Sequence, residues 1–140
     1  EWFLQKEPMS HKKLQKLCYY AKAWSCALFD EPIMRNSKFQ AWIHGPVCTE
    51  LYHKYKGNGW DDLFPSGRAL QLTNREIDLL ESVYLTYGNL SANELEVLSH
   101  GEPPWVMARK GCRKDERCGN VISDSSMRDY YKTIYIGDDE

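Results

Sequence analysis

The nine residues Phe39-Gln40-Ala41-Trp42-Ile43-His44-Gly45-Pro46-Val47 constrain the fold most, because strand alternation, a chain reversal and a helix-start signal follow one another there without a gap. Phe39, Ala41 and Ile43 alternate with Gln40, Trp42 and His44 at the period of two that places successive side chains on opposite faces of a strand. Gly45 permits a turn that a Cβ would hinder, and Pro46, with its fixed φ and missing N–H, suits the first position of a helix. That helix is expected from Val47 to Lys56, closed by Gly57-Asn58-Gly59. A tight strand-to-helix corner is a rigid scaffold rather than catalytic machinery.

Around this corner the pattern is helical. Ser10 caps a helix whose Leu14, Leu17, Cys18, Ala21, Trp24 and Leu28 recur at three- and four-residue spacing, with Lys13, Lys16 and Lys22 off the stripe. Asp30-Glu31-Pro32 ends it. Trp60 to Gly67 reads as a loop, and Ala69-Leu70-Gln71-Leu72 as a short strand to pair with the central one. Thr73-Asn74-Arg75-Glu76 and Ser91-Ala92-Asn93-Glu94 each have the spacing of a capping box. The first opens a helix through Ile77, Leu80, Tyr84 and Tyr87; the second opens a shorter one ending near His100-Gly101. Pro103-Pro104 starts another short helix, and Ser123 caps a last one through Met127, Tyr130 and Tyr131. The expectation is a mainly α, compact single domain over 1–140, with about five to seven helices and a small β-hairpin or two-stranded sheet. Its core should span 10–133, with an acidic, frayed tail at 134–140.

No apolar run approaches the roughly 20 residues that span a bilayer, so no membrane segment is expected. A net charge of −2 argues against nucleic acid as the partner, although Arg109 to Asn120 forms a locally basic loop. The odd count of five cysteines, with no signal-peptide pattern, reads as reduced thiols in a cytoplasmic protein. Cys48 has His44 and His53 close in sequence, but neither spacing sets a base against a thiol, so a half-buried free thiol is the plainer reading. Cys112 and Cys118 with His100 give three ligands where zinc needs four. No metal, cofactor or catalytic residue is therefore expected. His100, Glu102 and Trp105 form either a helix end pinned by a core tryptophan or a partner-contact site. Aromatic residues, at 13%, are abundant enough to supply an interface as well as a core.

Leu14-Gln15-Lys16-Leu17-Cys18-Tyr19-Tyr20-Ala21-Lys22-Ala23-Trp24 resembles the opening helix of the Panacea domain, the SocA-like or GepA-like domain of phages and mobile elements. The likeness continues through Ala41–Val47, through Leu51-Tyr52-His53-Lys54-Tyr55, and through Leu98 to Arg109. The resemblance implies motif or partner-binding roles for Lys16, Tyr20, Trp24, Trp42, His44, Gly45, Pro46, Val47, Tyr52, His100, Glu102, Pro104, Trp105 and Arg109. It implies a non-enzymatic antitoxin that binds a co-encoded toxin protein. Alternatives are an adaptor that hands a toxin to a AAA+ protease of the ClpXP type, or a nucleic-acid-binding regulator. Cys18 and Cys48 stand where the family would carry Leu or a small aliphatic residue, and Cys112 to Cys118 is an unusual loop; these departures leave the choice of partner open.

Overall fold

The computed structural model describes residues 1–29 and 31–135. Asp30 and residues 136–140, to which the helix stop and most of the acidic tail were assigned, lie outside them. Seven α-helices, one 3-10 turn and two two-stranded antiparallel sheets make up the described residues, in one compact mainly helical domain.

Helix α1 (Trp2–Lys6) puts Phe3 and Leu4 into the core, which therefore begins before residue 10. Helix α2 (His11–Leu28) is the centre of the molecule. Ser10 Oγ accepts from Lys13 N–H at its start, and Phe29, in extended conformation, ends it. Thirteen of its 18 residues are buried, on every face rather than along one stripe. It packs against α4 (Asn74–Tyr87), α5 (Ala92–His100) and, most extensively, α7 (Asp124–Ile134). Both expected capping boxes form, at Thr73/Glu76 and Ser91/Glu94, and Ser123 caps α7.

All-round burial corrects the reading of the lysines. Lys16 and Lys22, expected off the apolar stripe, are each only 1% exposed, whereas Leu28, expected on it, is 41% exposed. A buried ammonium needs hydrogen-bond partners. Lys16 donates to Pro46 O at 3.3 Å; Lys22 donates to Ser37 O and lies 3.5 Å from Asp124.

At the corner, β2 (Phe39–Trp42) is followed not by a helix but by a second strand, β3 (Gly45–Cys48), with Phe39 opposite Cys48 and Trp42 opposite Gly45. Pro46 thus sits in a strand. Its partner Ala41 turns both main-chain polar groups away, the N–H to Asn120 O at 3.0 Å and the C=O to Arg109. Ala41 and Pro46 are therefore a non-hydrogen-bonded pair, and the missing N–H breaks no rung. The helix starts only at Thr49, as α3 (Thr49–Tyr55), and runs into a 3-10 turn over Lys56–Asn58.

The central strand also pairs on its other side. Ile122 N–H donates to Phe39 O at 2.8 Å, so the segment after the basic loop, not Ala69–Leu72, is the second neighbour of β2. Ala69–Leu72 forms no strand. The loop before it is tied instead to Glu1, whose carboxylate accepts from Ser66 and Gly67 N–H. Asp62–Leu63, assigned to that loop, pairs with Met9–Ser10 in the second small sheet.

Ile43 and His44 make the hairpin turn, and the positive φ falls on Gly45, at +110°. A Cβ there would lie 2.7 Å from Lys16 Cε. Gly45→Ala combines backbone strain with that clash, so urea denaturation should show a loss of about 1–3 kcal/mol.

Candidate functional site

Two side chains of α2, Gln15 and Lys16, meet the hairpin and fix it. Gln15 grips Cys48 by both main-chain groups: Nε2 donates to the C=O at 3.1 Å, and Oε1 accepts from the N–H at 2.9 Å. Lys16 holds the Pro46 carbonyl one turn away from His11, which lies against Tyr52 and Tyr55. From the other side, helix α6 (Pro103–Ala108) sends the Trp105 indole N–H to Trp42 O at 2.9 Å. Arg109, directly after it, donates to Ala41 O at 2.9 Å and to Arg113 O at 2.6 Å. His100 stacks on Trp105 with ring centres 4.2 Å apart. Burial lowers the His100 pKa, against the pull of Glu96.

Beneath α6 lies a second polar cluster. The Glu102 carboxylate accepts from Tyr20 at 2.7 Å and from Tyr131 at 2.8 Å. Tyr20 stacks on Tyr87 at 4.0 Å, and the Tyr87 hydroxyl accepts from the Trp24 indole at 2.8 Å. Burial raises the Glu102 pKa, opposed by the two tyrosine donors. The group is closed on itself, with Glu102 and Pro104 buried and both tyrosines in the core.

Open to solvent beside the hairpin is a cleft of about 700 Å³ between the N-terminal half of α2, the hairpin, α3 with the 3-10 turn after it, and helix α5. Of the fourteen residues singled out from the sequence, Lys16, Trp42, His44, Val47 and Tyr52 line it. Gly45, Pro46, His100, Trp105 and Arg109 build its wall from behind, and Tyr20, Trp24, Glu102 and Pro104 belong to the core cluster or its margin. Lys12, Lys56, Trp60, Glu96 and Val97 also line the cleft and went unnoticed in the sequence, since no local spacing links α2, the 3-10 turn and α5. Glu96 spans the rim: it pairs with Lys12 and lies 3.1 Å from His44 Nδ1.

On the outer face of the hairpin, the Arg117 guanidinium lies 4.0 Å from the Trp42 ring centre, and Trp42 packs edge-on against Tyr52 at 4.8 Å. The basic loop is therefore pinned to the hairpin aromatics. Cys112 and Cys118, expected as free thiols, are joined as a disulfide across it; Cys18, Cys26 and Cys48 are free. Asn120 further closes the loop by donating to Ala108 O at 2.9 Å.

The family model for the antitoxin SocA-like Panacea domain matches residues 14–106 of the chain. Antitoxin SocA of Caulobacter vibrioides (strain NA1000 / CB15N) is 28% identical over 138 residues, covering 89% of this chain and 73% of that protein. No solved structure matches significantly. The matched span runs from within α2 into α6 and so contains the hairpin and the cleft lining apart from His11 and Lys12.

Burial and the nearby Lys12 ammonium push the Lys16 amine down to about 7, against the pull of Glu96. Its folded value lies below the unfolded one near 10.5, so the unfolded chain binds more protons between the two and stability falls as pH drops toward 7. Wild type should gain about 1–2 kcal/mol between pH 7 and 8.5, a slope that Lys16→Met should lack when chemical denaturation is repeated across that range. In the core cluster, Tyr131→Phe removes one of two donors to Glu102 and should cost about 1.5–3 kcal/mol by the same assay.

Proposed function

Since the chain belongs to the antitoxin SocA-like Panacea domain family, we propose that it is an antitoxin that neutralises a co-encoded toxin protein by binding it directly. The observation that carries this reading is a stiff hairpin-and-helix frame with an open, aromatic-lined cleft in its surface. The frame is held by side-chain bonds to strand backbone from both sides, by Gln15 and Lys16 on one and by Trp105 and Arg109 on the other. A preorganised surface loses little conformational entropy on association, and exposed tryptophans are favoured binding anchors. Trp60, 84% exposed at the cleft rim, is one. The buried carboxylate of Glu102 is engaged by Tyr20 and Tyr131 rather than aimed at a reacting centre, which favours binding over catalysis.

The net charge of −2 and two of the three guanidiniums of the basic loop argue against nucleic acid as the main partner. Arg109 is buried on backbone carbonyls, and Arg117 rests on Trp42. Phosphate-driven binding needs such charges free.

Expression of the chain together with the product of the adjacent gene is the test. Growth should be restored and the two proteins should purify as one complex. A neighbour that stays toxic, with no complex recovered, overturns the proposal. Pulse-chase of the toxin separates two modes: a lifetime unchanged by this chain is expected for simple sequestration, while accelerated loss that depends on a AAA+ protease would make the chain an adaptor.

A further inference from the structure

The charges of the cleft do not balance. Lys12, Lys16 and Lys56 line it, against Glu96 as the one carboxylate. That carboxylate is already occupied, by Lys12 on one oxygen and by His44 on the other. Lys16, at the floor, has one hydrogen bond among the described residues, a 3.3 Å contact to Pro46 O, although an ammonium has three donors to place. A buried amine in that position gains most from an anion brought to it, because an adjacent negative charge favours its charged form and a charge-assisted bond uses its spare donors.

The remaining walls are apolar or aromatic. Trp42, Val47 and Tyr52 form the hairpin side, and Trp60 and Val97 stand at the rim, the latter 73% exposed. Cleft volumes of about 300–1,000 Å³ suit a few side chains or one small ligand. The exposed Trp60 and Val97 carry the apolar surface beyond the cleft mouth, which suits a continuing polypeptide better than a small solute.

We propose that the cleft receives an acidic segment of the toxin, with an Asp or Glu carboxylate directed toward Lys12, Lys16 and Lys56 and an apolar neighbouring side chain against Trp60 and Val97. The identity of the partner rests on the antitoxin reading; the chemistry of the segment rests on the cleft. The chain as a whole carries a net charge of −2, so the local positive excess is a property of this surface and not of the molecule. Charge complementarity of this kind sets specificity and speeds encounter.

The test uses Lys56→Glu and Trp60→Ala at the exposed rim, Lys16→Met at the floor, and Leu85→Ala on α4, an exposed leucine outside the cleft lining, as control. Calorimetric titration with the toxin should show each cleft variant weakened about tenfold or more, at unchanged melting temperature for the rim variants Lys56→Glu and Trp60→Ala, with Leu85→Ala like wild type and wild-type affinity falling as salt rises. Phenylacetate, one carboxylate on one apolar ring, is the small probe: it should shift the Trp42 and Trp60 side-chain NMR signals of wild type and not those of Lys16→Met. Toxin that binds all variants alike, with phenylacetate shifting neither tryptophan, overturns the cleft and leaves the antitoxin reading standing. Phenylacetate that binds while no toxin does overturns the antitoxin reading and, with it, the assigned occupant. An oligonucleotide that displaces phenylacetate would give the cleft to nucleic acid instead and overturn the proposal.

Discussion

The structure depends on burying α2 on every side while it carries polar side chains. Leaving an amide or an ammonium unpaired in an apolar interior would cost several kcal/mol, comparable to the stability of a whole domain. Gln15, Lys16 and Lys22 avoid that cost by bonding to main-chain groups of irregular and extended segments: Cys48, Pro46 and Ser37 respectively. The helix thereby fixes the parts of the chain that have no helical ladder of their own. Each bond is local in space and distant in sequence, so it exists only once the fold has closed.

The hairpin is positioned by the same principle from the opposite side. Trp105 and Arg109 supply donors to Trp42 O and Ala41 O, and the segment through Ile122 takes the rest of that edge. An edge strand with free carbonyls would otherwise invite pairing with another chain. Below it, Glu102 ties α2 to α7 through Tyr20 and Tyr131. The motif residues that resemble the family are thus largely those that hold the frame, and the cleft rim, with Trp60 and Val97, stands apart from them.

Local patterns were read best where the physics is local. The caps at Ser10, Thr73, Ser91 and Ser123 each satisfy an orphan N–H within three residues, and all four form. Pro46 was misread because a proline suits a helix start and a non-hydrogen-bonded strand position equally well, and only the pairing of Ala41 with Asn120 and Arg109 separates the two. Ala69–Leu72 alternates small or polar with apolar residues but holds no β-branched or aromatic side chain, and the Phe39 carbonyl it was expected to pair beside takes the Ile122 N–H instead. The two buried lysines look like solvent-facing residues to any amphipathic template, because a template assumes one wet face.

By itself, the sequence determined the starts of the capped helices α2, α4, α5 and α7, the mainly helical class and the family, since capping geometry, 3.6-residue spacing and motif order are properties of contiguous residues. Tertiary structure alone decided that Gly45–Cys48 is a strand, that Cys112 meets Cys118, and that Lys12, Lys16, Lys56, Trp60 and Glu96 face one another across a cleft. The strand and the cleft are set by hydrogen-bond partners and charges that lie tens of residues apart, and the disulfide, though its cysteines are six apart, by the path of the loop between them; no short-range rule carries that information.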